Sequence, residues 1–157
     1  MGSEMTLEEI KALTEHLSYF GYTVEVTSDD QWYAVKHPRG LDFYMRFLSY
    51  GVRLHCSWFF TSPSPGHQPA GFLEFINKAN EEALIGSLFS VLGPGPDDCE
   101  IRLCALLSAR YERSHWAALL EFWRHDLDYL QSKLPELRES CRVALMTEAS
   151  AASDAIH

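Results

Sequence analysis

A chain of 157 residues, 46% hydrophobic and 22% charged, has the size for one globular domain with a real core, and its formal net charge of −9 works against nonspecific attraction to nucleic acid or anionic lipid. No apolar run reaches membrane-spanning length, and residues 1–11 are acidic where a secretion signal is basic and then apolar, so a cytoplasmic protein is expected. Cys56, Cys99, Cys104 and Cys141 form no C-x-x-C pair and read as small thiols in apolar patterns, which argues against a disulfide framework and against zinc.

The first helix has complete start signals. Thr6 and Glu9 make a capping box, Met5 and Ile10 are placed as its hydrophobic staple, and Leu7, Ile10, Leu13, Leu17 and Phe20 mark an inner face before Gly21 ends the helix. From Tyr22 the period becomes alternating. Tyr22, Val24 and Val26 open a first strand, and residues 32–37 form a second. Leu41, Phe43, Met45 and Phe47 line one side of a third strand, and Val52, Leu54, Cys56, Trp58 and Phe60 one side of a fourth, an antiparallel meander. Residues 61–69, rich in Ser and Pro, are a loop.

The next helix, residues 70–82, buries Phe72, Phe75, Ile76 and Ala79. Its Asn77 and Asn80 are suited to bonding nearby backbone and fixing the helix end against the strand that follows. Residues 85–92 are apolar enough for a strand in mid sheet, and a Gly/Pro loop joins them to an alternating strand at 99–107. A long helix follows, with Ser114 as N-cap and Trp116, Leu119, Leu120, Trp123, Leu127, Leu130 and Leu134 on one face. Pro135 kinks it or begins a short new helix. These elements make one domain over residues 6–146, and residues 147–157, with no periodic face, form a disordered tail.

The fold class is therefore α+β, an antiparallel β-sheet with flanking helices in the order α-ββββ-α-ββ-α. That order, with the middle helix reading FLEFINKAN from Phe72 to Asn80, resembles the YbjN family of bacterial proteins, whose domain is similar in fold to the type III secretion chaperones. The resemblance covers residues 6–134. It implies a small, commonly dimeric domain without catalytic machinery. The YbjN group is described as sensory transduction regulators, and the secretion chaperones bind an extended segment of another protein.

Little in the chain suggests chemistry. Glu121, His125 and Asp128 share the wet face of the last helix, but no second histidine at helical spacing accompanies them. Ser114 before His115 is better read as a cap than as a nucleophile, and the prolines of the loop at Gly93 remove the N–H donors that a phosphate needs. No catalytic residue, cofactor or metal is assigned. Tyr44, Leu48 and Phe59 fall at outward positions of the meander, and Phe122 and Tyr129 flank the long helix, so these five are the candidate surface for a homodimer or a protein partner. The expected function is capture of a partner's segment, with no direct nucleic-acid binding. The alternative is a small-ligand sensor or small enzyme with a pocket between helix and sheet, lined by Trp32, Trp58, His55 and Arg53.

Overall fold

The capping box forms as predicted: the Glu9 N–H donates to Thr6 Oγ1 at 3.2 Å and the Thr6 N–H donates to Glu9 Oε2 at 2.8 Å, opening α1, Leu7–Tyr19. The helix closes at Gly21, whose φ of +88° suits glycine. The Tyr22 N–H reaches back to the Leu17 carbonyl at 3.0 Å and the Gly21 N–H to that of Ser18 at 3.0 Å, the paired bonds of a Schellman ending. The buried stripe differs at its margins from the predicted one. Leu13 and Leu17 are inside, but Leu7 and Phe20 are exposed and His16 is buried in their place.

The computed structural model describes residues 5–29, 31–61, 67–95, 98–108 and 110–154. After α1 come β1 Thr23–Val26, β2 Tyr33–Lys36, β3 Phe43–Leu48, β4 Gly51–Phe60, α2 Phe72–Glu82, β5 Ser87–Leu92, β6 Cys99–Ser108 and α3 Arg113–Asp154, the order read from the sequence. The strands form one six-stranded sheet, β1-β2-β3-β4-β6-β5, with antiparallel registers through the first four. β5 is thus an edge strand, not the mid-sheet strand its composition predicts. An apolar run reports burial of both faces and carries no information on whether both edges are bonded.

The chain comprises two compact units. The first comprises Met1–Cys56, Leu84–Ser87 and Leu103–Asp128. Its core is filled by Leu13, Leu17, Val35, Phe43, Met45, Leu54, Leu103, Trp116 and Trp123, each no more than 1% exposed. The rings of Phe43 and Trp123 meet edge to face at 5.8 Å, which seats the first half of α3 on the inward side of β3. At Gly51 a side chain would collide with the Leu107 carbonyl oxygen, so only glycine lets β4 and β6 approach so closely there.

The second unit comprises Ser57–Ala83, Leu88–Arg102 and Tyr129–His157. Phe60 and Phe72 meet edge to face at 4.9 Å, with the Arg138 guanidinium 4.6 Å from the Phe60 ring centre. Asn80 acts as the sequence predicts: its amide donates to the Leu88 carbonyl at 2.9 Å and accepts from the Leu88 N–H at 2.7 Å, tying the end of α2 to the start of β5.

Helix α3 departs from expectation at its two ends. It begins at Arg113, and the Trp116 N–H bonds the Glu112 carbonyl at 2.9 Å, so Ser114 lies inside the first turn with its hydroxyl on the Glu112 carboxylate and is not the N-cap. It passes Pro135 without ending. Proline removes the N–H that would bond the Gln131 carbonyl, but both residues are exposed and solvent can serve that oxygen. It also continues through residues 147–154, predicted to be a disordered tail; residues 155–157 lie outside the described residues. Ala and Glu are good helix formers, and extending an existing helix needs no new nucleus. The helical tail still has no apolar face, so deleting residues 147–157 is expected to shift the melting temperature by no more than a degree or two. A drop of many degrees in a thermal scan would show that the tail is docked.

Candidate functional site

Alternation and register place the outward side chains of the first unit in rows. Ala34 pairs with Tyr44, and Tyr44 with His55, in one row. In the next row Arg46 pairs with Arg53, and Trp32 lies beside them one residue before Tyr33, the partner of Met45. The contacts follow these rows. The edge of Trp32 meets His55 at 5.5 Å, Tyr44 meets His55 at 6.5 Å, and the Arg46 guanidinium lies 5.6 Å from the Trp32 ring centre and bonds Gln31. Arg53 donates to Cys104 Sγ at 3.6 Å. Beyond Cys104 on β6, Leu106 is 59% exposed, and Tyr44 is 49% exposed. The inward side of the same strands carries the buried Val35, Phe43, Met45 and Leu54, so these aromatic and cationic side chains lie on the opposite, outward face.

The five surface residues read from the sequence fall in both units, Tyr44, Leu48 and Phe122 in the first and Phe59 and Tyr129 in the second. Tyr44 lies on this outward face, and Leu48, of the same parity, is half-buried at the end of β3. Phe122 is exposed on α3, next to the buried Trp123, and so belongs to the helical side of the first unit. In the second unit Phe59 is exposed at the end of β4, where its carbonyl accepts from Arg138 at 3.2 Å. Tyr129 lines a groove of about 540 Å³ between α2 and α3, with Phe75, Ala79 and Leu137 as apolar lining and Lys78, Lys133, Glu74, Glu82 and Glu136 as mixed charge. Of the residues read as lining the alternative pocket, Trp58 lies in the second unit and the other three in the first. Arg53 and His55 face outward with Trp32, while Trp58 has the parity of the inward-facing Leu54 and Cys56.

Two groups of chemical interest escaped the sequence reading. Asp126, 2% exposed on α3, accepts from three consecutive backbone N–H groups: Leu84 at 2.8 Å, Ile85 at 3.0 Å and Gly86 at 2.7 Å. A lone acidic residue on a helix gives no hint of such a clamp. Next to it His125 is exposed, with Nδ1 3.4 Å from Asp126 Oδ1, and no cluster of three or more His, Cys, Asp or Glu suited to a metal exists among the described residues.

His16 is the other. It is 6% exposed, with Nδ1 2.8 Å from the Tyr111 hydroxyl and Nε2 buried without a partner among the described residues. Burial first, and the Arg113 cation second, hold its pKa below the ordinary 6.5. The folded protein therefore keeps this ring neutral where the unfolded chain protonates it. Stability from His16 is intact above pH 6.5 and falls as pH drops from 6.5 toward the folded pKa, then levels off. In urea melts at pH 7.5 and 5.5, the variant His16→Phe is expected to lose less stability on acidification than wild type. Equal losses would remove His16 from the account.

No helix among the described residues is long and apolar enough to cross a membrane. No curated protein matches the chain in sequence. Among solved structures it is similar to one described as "Crystal structure of YbjN, a putative transcription regulator from E. coli", with a TM-score of 0.55 and 12% identity over 80% of this chain and 93% of that one, a likeness of fold. A family model described as "YbjN: Putative bacterial sensory transduction regulator" matches residues 9–93, from α1 to the residue after β5. With more than half its length inside that match, and the order of its helices and strands as the family resemblance implies, the chain belongs to the YbjN family.

Proposed function

We propose that this chain is a non-catalytic regulatory domain of the cytoplasm that captures a segment of a partner protein and works as a homodimer. The observation that carries the reading is the outward sheet face of the first unit, where Tyr44 and Leu106 are exposed beside the half-buried Trp32. Exposed aromatic residues on a rigid sheet are suited to anchoring a chain laid across them. The family's description as a regulator, and that of the E. coli structure as a transcription regulator, support a role exerted through binding. Phe122, 43% exposed on the helical side, gives a separate surface for a second copy, so dimerisation and capture need not compete.

The test compares wild type with Tyr44→Glu and Phe122→Glu, by retention of proteins from the native cell and by sedimentation. Wild type should sediment as a dimer and retain a partner near one per chain. Phe122→Glu should shift the dimer toward monomer, and Tyr44→Glu should release the partner without changing the circular dichroism spectrum. A wild type that is monomeric at micromolar concentration, or a retained set that neither substitution alters, overturns the reading.

A further inference from the structure

Arg46 and Arg53 stand directly opposite each other across β3 and β4, on the outward face. Two cations at facing positions of an antiparallel pair repel, and such pairs are disfavoured unless something lies between them. Among the described residues no carboxylate answers either one. Arg46 rests on Trp32 and bonds Gln31, and Arg53 bonds the Cys104 sulfur, a weak acceptor. The nearby outward lysine is already satisfied, with Lys36 Nζ 2.7 Å from Glu25 Oε2. The two guanidinium groups are thus an unanswered positive centre on a chain whose formal net charge is −9.

We infer that the outward face binds an acidic segment of a partner protein, with carboxylates between Arg46 and Arg53 and separate aromatic or aliphatic side chains against Tyr44 on one side and Leu106 on the other. This rests on the capture reading and adds the partner's chemistry. The planar guanidinium matches a carboxylate through two parallel N–H donors, and Arg46 is held by the Trp32 ring in a fixed direction, so less freedom is lost on binding. A second copy related by a two-fold axis through this face would set arginine pairs against each other, so the face is not the dimer interface. Nucleic acid is the poorer occupant. Its affinity grows with the number of phosphates neutralised, and two arginines on an acidic chain offer few, while charge beyond about 8 Å is screened at physiological salt.

Fluorescence anisotropy tests this with three labelled probes: a peptide of about twelve residues repeating Glu-Leu-Glu-Tyr, its twin with Gln for every Glu, and single-stranded oligothymidine of the same length. The acidic peptide should bind wild type at least about tenfold tighter than its neutral twin, with the preference shrinking as salt rises. The double variant Arg46→Glu with Arg53→Glu should lose the preference at an unchanged circular dichroism spectrum, and Arg46→Lys with Arg53→Lys should keep part of it. If both peptides bind equally and Tyr44→Ser weakens both, the acidic specificity is wrong while capture stands. Tighter binding of the oligothymidine overturns the inference in favour of nucleic acid. Unchanged binding of the acidic peptide by the charge-reversal variant overturns it, as does no binding of either peptide to wild type.

Discussion

Replacing Trp123 with alanine is expected to cost about 3 to 5 kcal/mol, enough to leave a domain of ordinary stability barely folded at 37 °C. The indole is 1% exposed and packs edge to face on Phe43, so truncation opens a cavity at the seat of α3 on the sheet and removes the ring contact as well. Trp123→Phe separates the two losses. It keeps an aromatic ring toward Phe43 and deletes Nε1, which is buried without a hydrogen-bond partner among the described residues. Its cost should be near 1 to 2 kcal/mol, since a smaller void is partly offset by removal of an unsatisfied donor. Denaturant midpoints of the three proteins decide the matter. An alanine variant within 1 kcal/mol of wild type would mean that α3 is not anchored here.

Asp126→Ala should be nearly as damaging, at about 3 kcal/mol, through a different mechanism. The carboxylate is the shared acceptor for the N–H groups of Leu84, Ile85 and Gly86, the turn between α2 and β5, and alanine leaves all three without it. Asp126→Asn should not rescue. Its amide keeps one acceptor oxygen for three donors and points a donor NH₂ group at an N–H. Hydrogen exchange at residues 84–86 should speed up in both variants. Wild-type exchange there, or full stability of the asparagine variant, would show that the turn holds itself.

The fold was legible wherever a local pattern had one physical cause. The capping box at Thr6, the helix end at Gly21 and the Asn80 bond to β5 each depend on residues close in sequence, and each formed as read. Element order followed from the switches between helical and alternating periods. What failed depends on partners far along the chain. The edge position of β5, the burial of His16 against Tyr111 and the Asp126 clamp are set by groups 40 or more residues away, or by sheet order, and no spacing rule encodes them. The candidate surface was half legible for the same reason. Parity alone put Tyr44 outward, but only the register of β3 on β4 brings Arg46 opposite Arg53, beside Trp32.

Cys104, beside Arg53 on the outward face, makes the chain's thiols into clocks that run at different speeds. It is half-buried, whereas Cys56, Cys99 and Cys141 are at most 6% exposed. Burial also pushes the pKa of Cys99 and Cys141 upward, with Glu100 adding to the effect at Cys99 and the neighbouring Cys99 at Cys141, so little thiolate forms at either. Iodoacetamide should therefore alkylate Cys104 first, and the other three only as fast as the structure opens to expose them. Followed by mass, the first modification reports whether the face around Arg53 is covered, and the later ones report how often the interior breathes. A segment lying over Arg53 should slow the first step alone.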